Sequence, residues 1–127
     1  MTALVVFAHG SPVESANEAV RTFCGQLART GEYPLVAAAF LERGVPDLAG
    51  AVCSVIAQGA RRVIVVPYFL TLGLHLERDL PRLMNKIAAA HPSVTFQVAP
   101  PLDGHPALVG IVLDRARAVG SESDLAS

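Results

Sequence analysis

The chain has 127 residues, of which 52% are hydrophobic and 17% charged, and its formal net charge is -1. That length fits one domain with a substantial core, and the near-neutral charge excludes bulk electrostatic binding to nucleic acid or to an acidic membrane surface. No apolar run reaches the length of a membrane span, and the first apolar stretch lacks the basic flank and cleavage pattern of a targeting segment, so a cytoplasmic protein is expected.

In chain order, residues 4–8 form an apolar run of strand length that meets His9 directly. Residues 14–30 carry Ala16, Val20, Phe23, Cys24 and Leu27 at helical spacing, with Gly31 as the stop. A second apolar strand covers 35–41. Pro46 stands in the favoured first turn of the next helix, whose stripe is Leu48, Val52, Val55 and Ile56, ended by Gly59. Residues 62–69 are rich in Val and Ile and apolar on both faces, as a central parallel strand requires. A third helix is predicted from about residue 78 to 90, with Leu80, Leu83, Met84 and Ile87 inward and His91-Pro92 as its stop. A fourth strand at 94–99 and a last helix at 105–119 complete the domain, residues 1–120. Residues 121–127 are a polar tail expected to fray.

Four strand–helix units joined by right-handed crossovers give an α/β three-layer sandwich on a four-stranded parallel sheet, with expected strand order 2-1-3-4. The crossover direction then reverses between strands one and three, and open sheets bind ligands in the crevice at the carboxyl ends of such strands. His9, in Ala8-His9-Gly10-Ser11, and His75, in Gly73-Leu74-His75-Leu76, follow these two strands in loops. Distant in sequence, they are expected to face each other across one crevice.

Each residue has two readings. His9 is either a hydrogen-bonded structural histidine or a ligand or base that works near neutral pH. Gly10 and Ser11 precede a helix whose free N–H groups suit an anion, while Ser11 or Ser15 equally suits a plain N-cap. The loop around His75 is unusually apolar, fitting a flat hydrophobic ligand or a neighbouring subunit. Asp79 either caps the third helix or orients His75, the cap being slightly favoured. Glu42 closes strand two on the same edge: with the two imidazoles it would complete an open site for a divalent transition metal, and otherwise it is a solvated partner of Arg43. His105 is read as a rim or structural residue and His91 as a helix-end histidine. Cys24 and Cys53, on apolar helix faces without CxxC spacing, are read as small buried hydrophobes in a reducing compartment.

Four landmarks in order carry a family resemblance: Ala8-His9-Gly10-Ser11 with Asn17; Phe40-Leu41-Glu42 followed by Pro46; Pro67-Tyr68-Phe69-Leu70 through Gly73, His75, Asp79 and Pro81; and Pro100-Pro101-Leu102 with His105-Pro106. Together they resemble the sirohydrochlorin chelatases, in the short single-domain cobaltochelatase (CbiX-type, class II) form, over nearly the whole chain. The resemblance implies insertion of cobalt, nickel or ferrous iron into sirohydrochlorin in cobalamin or siroheme biosynthesis, with the metal ion as substrate and no organic cofactor. It implies His9 and His75 as the metal-binding and catalytic pair and Glu42 as third ligand. Gly10, Ser11, Arg43, Leu74 and Arg78 are candidates for the tetrapyrrole and its carboxylates, and Arg82 is a further candidate for a carboxylate. A basic residue often follows the serine in this family; Pro12 stands there instead, so that position is assigned no carboxylate contact. One subunit looks too small to enclose a tetrapyrrole, and a homodimer with the cavity between subunits is the implied assembly.

Competing classes lack their signatures. A histidine phosphatase needs arginine immediately before the strand-end histidine, where Ala8 stands. A non-catalytic flavodoxin-like module needs a Ser/Thr-rich phosphate loop, for which Gly10-Ser11-Pro12-Val13 is a poor match. A metal or tetrapyrrole carrier with the same site and no turnover differs from a chelatase only in rate.

Overall fold

The computed structural model describes residues 1–71 and 73–120, with the backbone alone at Leu74 and His75. Strands and helices alternate: β1 (Thr2–Ala8), α1 (Glu14–Arg29), β2 (Leu35–Phe40), α2 (Leu48–Ala57), β3 (Arg62–Pro67), α3 (Leu74–Ala90), β4 (Thr95–Val98) and α4 (Ala107–Arg117). The sheet order is β2-β1-β3-β4 and all three pairings are parallel, as the strand–helix alternation predicts.

β1 is buried on both faces. Ala3, Val5 and Phe7 point into the main core with Val63 and Val65, against Leu48, Val52 and Val55 of α2 and Leu80, Met84 and Ile87 of α3. The alternate residues Leu4, Val6 and Ala8 are also buried; by the pleat they face the side where Cys24 of α1 is buried. Ala37 in β2 pairs with Val5, and Val65 in β3 pairs with the same residue from the other side. The site-bearing ends of β1 and β3 are thereby locked in one register.

Several sequence expectations need correction. α3 begins at Leu74, not near residue 78, so His75 lies in its first turn rather than in a loop. The reason is packing: Leu76 sits one turn ahead of Leu80 on the same stripe and is partly buried against the core, which carries the helix back to Gly73 as N-cap. Pro81 is consequently interior to α3, and Asp79 is inside it as well, so the expected Asp79 cap does not exist. Pro46 precedes α2 rather than entering it; Asp47 is the N-cap, its side chain accepting from the Gly50 N–H at 2.8 Å. Neither Ser11 nor Ser15 caps α1. Ser11 Oγ accepts from Val13 N–H at 3.0 Å, and Ser15 is inside the helix, whose N-cap Val13 offers no side-chain bond. Cys24 is buried as expected, but Cys53 is exposed. α4 is shorter than the 105–119 expected, and the tail 121–127 lies outside the described residues.

Candidate functional site

The carboxyl edge of the sheet is organised by a backbone clamp. Beyond β1 and β2 the ladder continues: Leu41 N–H donates to Ala8 O at 2.9 Å and Glu42 N–H to His9 O at 3.1 Å. Gly10 makes this approach feasible. Its φ is +91, and a Cβ there would overlap the Glu42 carbonyl oxygen. The clamp sets the His9 and Glu42 backbones side by side, as the sequence reading required of this pair.

Asn17 holds both loops from below. It is 2% exposed, deep in the first turn of α1. Its side-chain oxygen accepts from Ser11 N–H at 2.9 Å, and its amide donates to Ser11 O and Arg43 O, each at 2.9 Å. Arg43 itself adopts φ +53, the left-handed region, with its carbonyl fixed by that bond. Arg21 adds a second tie. It donates to Val45 O at 3.1 Å and to Glu14 Oε1 at 2.6 Å, and its guanidinium lies 5.2 Å from the Phe40 ring centroid. The hydrogen bond from Arg21, followed by that from Asn17, holds the Glu14 carboxyl below its ordinary range. In water such pairs add little stability, so their value here is positional. Glu14 also makes the start of α1 a poorer anion site than free N–H groups alone suggested.

His9 is exposed at the lip of a cleft of about 270 Å³ lined by Leu41, Phe69, Thr71, Leu76 and Asp79. Phe69 meets the imidazole edge-to-face, with ring centroids 6.2 Å apart, and is braced in turn against Phe7. Nδ1 of His9 lies 3.3 Å from Gly10 O. A carbonyl can only accept, so a hydrogen bond here is donated by Nδ1–H, and in that tautomer the Nε2 lone pair stays available as ligand or base.

The other predicted residues distribute as follows. Glu42 and Arg43 are exposed on the clamped loop beside His9. The His75 backbone lies at the same edge, between Gly73 and Leu76, both of which line the cleft; its side chain, like that of Leu74, lies outside the described residues. Arg78 is exposed on α3, and Asp79, not a cap, lines the cleft. Among the described residues no three His, Cys, Asp or Glu side chains converge as a ready metal cage. His105 has the structural role expected of it: Nδ1 accepts from Ala107 N–H at 3.0 Å at the start of α4. His91 is the C-cap of α3. Sequence reasoning named Asn17 as a landmark but gave it no role. The signal was present, since asparagine is a poor helix former and favours bonds to nearby backbone.

The CbiX family model matches residues 3–119. The chain belongs to the CbiX family. A sirohydrochlorin cobaltochelatase of Methanocaldococcus jannaschii is 37% identical over 91 residues, 72% of this chain and 64% of that relative. A CbiX protein of Marinobacter aquaeolei superposes with a TM-score of 0.81 at 27% identity, covering 93% of this chain and 96% of that one. SirB from Bacillus subtilis, solved with Fe3+, gives a TM-score of 0.84 at 26% identity, covering 94% of this chain and 48% of SirB. The chain thus spans less than two thirds of the Methanocaldococcus relative and about half of SirB, while matching the Marinobacter CbiX protein almost end to end. Both superpositions agree with the expected CbiX-type architecture.

Proposed function

We propose that this chain inserts a divalent metal ion, cobalt, nickel or ferrous iron, into a sirohydrochlorin-type tetrapyrrole in cobalamin or siroheme biosynthesis. The single observation that carries the reading is the His9 imidazole. It stands at the lip of an apolar cleft with Nδ1 turned to Gly10 O, so Nε2 is free for metal or proton, and the Glu42 loop is clamped beside it. Membership of the CbiX family supports the chemistry, as does the Methanocaldococcus relative, itself a sirohydrochlorin cobaltochelatase.

Metallation exchanges one divalent ion for two pyrrole N–H protons. An imidazole pair on one face of the ring can do both halves of the task, holding the ion loosely and accepting a proton as the ring nitrogens take the metal. His9 and His75 are that pair in this reading, and Glu42 is the third ligand, neutralising charge and speeding water loss from the ion. The site must stay open, because a closed four-ligand cage would retain the metal. The ring would lie against Leu41, Phe69 and Leu76. Its acidic arms would meet Arg43, Arg78 and the Gly10-Ser11 turn, with Leu74 extending the apolar wall. Arg82 is a further candidate. The cleft is at the small end for even a drug-sized ligand, about 300 Å³ or more, which favours a second copy closing over the ring. The free thiols Cys24 and Cys53 suit a reducing compartment and support the cytoplasm as its place.

The test mixes purified protein with sirohydrochlorin and each of the three metals and follows the change in absorption. Acceleration over the spontaneous reaction with at least one metal is expected. His9→Ala and His75→Ala should each lower the rate by about a hundredfold or more, the span of a lost general base, with unchanged circular dichroism. Metal binding without faster insertion would favour a carrier, and no acceleration with any metal overturns the chelatase reading.

A further inference from the structure

The cleft beside His9 is walled mainly by Leu41, Phe69 and Leu76, and among the described residues Asp79 is the acidic one that lines it. On α3, Asp79 follows His75 by four residues, so the two positions share one face of the helix. The other carboxylates of this end of the sheet are committed elsewhere. Glu14 is bonded by Arg21 and Asn17, and Asp47 caps α2. Glu77 borders a different cavity, with Pro81 and Val98. Glu42 is exposed on the clamped loop and is not among the residues that line the cleft. Among the described residues, neither Arg78 nor Arg82 forms an ion pair with Asp79.

A dication that enters this cleft exchanges water for a largely apolar wall. Charge without a counter-charge is costly there, and a carboxylate on the wall lowers that cost. Imidazoles do not supply it, because an imidazole that binds metal is neutral. The same negative charge acts in the opposite sense on the second substrate. Sirohydrochlorin carries its carboxylates around the ring, and a fixed carboxylate repels them. A residue that merely filled the wall, or merely oriented a neighbouring imidazole, would not treat the two substrates oppositely.

We propose that Asp79 recruits the metal ion: its carboxylate draws the hydrated dication into the cleft beside His9 and keeps the acidic arms of the tetrapyrrole off that wall. This role rests on the metal-insertion reading above and adds a division of labour to it. The imidazoles and Glu42 hold the ion for insertion, whereas Asp79 governs its arrival. The arms then turn to Arg43 and the Gly10-Ser11 turn, on the loops that follow β2 and β1. Asp79 thereby also selects which edge of the ring enters the cleft.

Two measurements on the full chain test this: calorimetric titration with cobalt alone, and insertion rates with metal and sirohydrochlorin varied in turn. Asp79→Asn keeps the shape of the side chain and removes its charge. It should weaken cobalt binding about tenfold to a hundredfold, as loss of a carboxylate partner at a metal site does, and raise KM for the metal by a similar factor. KM for sirohydrochlorin should stay unchanged or fall. Asp79→Glu should restore most of the metal affinity. Asp79 is exposed, so the circular dichroism should not change; if Asp79→Asn fails to fold, Asp79→Ser is read in the same way. Wild-type cobalt affinity and metal KM in Asp79→Asn overturn the proposal. So does a loss confined to kcat, which would make Asp79 a positioning residue for His75, and so does a rise in KM for sirohydrochlorin alone. A wild-type protein that accelerates no insertion overturns the metal-insertion reading instead, and the cobalt titration then decides the role of Asp79 by itself.

Discussion

At Gly10 two independent constraints meet: a φ of +91, which L side chains rarely adopt, and the Glu42 carbonyl in the space a Cβ would occupy. Gly10→Ala must therefore push the β2–α2 loop off β1, breaking the bonds from Leu41 and Glu42 that join them. We expect a loss of about 2–3 kcal/mol in stability and at least a tenfold loss of metal-insertion rate, read by urea unfolding and by absorbance. Near-wild-type values of both would show that the clamp is dispensable. The two cysteines make a second contrast at this scale. Burial pushes the Cys24 thiol up from 9.0 to about 11, whereas Cys53 is exposed, with Sγ 3.8 Å from His91 Nε2. Because the folded value is raised, the neutral Cys24 contributes its stability fully below about 9 and loses it as pH rises through about 11. Titration with a thiol reagent at pH 8 should modify one thiol per native chain, and the second only after unfolding. Two fast thiols in the native protein would contradict the burial of Cys24.

Between elements, the site depends on Asn17, which ties α1 to the loops that follow β1 and β2. Asn17→Ala would leave Ser11 N–H, Ser11 O and Arg43 O without their partner, each such group costing about 1–3 kcal/mol where water cannot replace it. Partial access of water should limit the total to about 2–4 kcal/mol. Activity should fall through loss of loop order even though Asn17 touches no substrate, and Asn17→Asp should restore only the bond from Ser11 N–H. Thermal unfolding and insertion rates check both; an Asn17→Ala protein as stable as wild type would remove the staple from the account. Sequence legibility follows the same division. The strand order was readable, because apolar runs at 4–8 and 62–69 demand burial on both faces and parallel crossovers leave few arrangements. The start of α3 was not. Gly73 and the run Leu74-His75-Leu76 read locally as loop, and only the packing of Leu76 on the core, a tertiary contact, extends the helix. Cys53 was misjudged likewise: it shares α2 with the buried Val52 but lies one residue round the helix. The nearness of His9 and Glu42 was readable from topology, whereas the Gly10 contact that enforces it depends on a backbone conformation no pattern reveals.

For the molecule as a whole, the cleft beside His9, about 270 Å³, is the limiting fact. A tetrapyrrole laid against Leu41 and Phe69 would keep one face in water, and there the ring nitrogens would exchange protons and metal with solvent rather than with the imidazoles. In the proposed two-copy assembly a second copy would close that face and bring its own His9 edge. Activity should then depend on assembly. If two copies form one cavity, specific activity must fall when the protein is diluted through the dimer dissociation constant, because an isolated copy holds the ring too briefly to metallate it. Insertion rates measured from nanomolar to micromolar protein should follow a binding curve whose midpoint matches the dimer dissociation constant obtained by sedimentation. A specific activity independent of concentration, measured where sedimentation finds only single copies, would mean that one copy suffices, and the cavity would then have to be built from this chain alone.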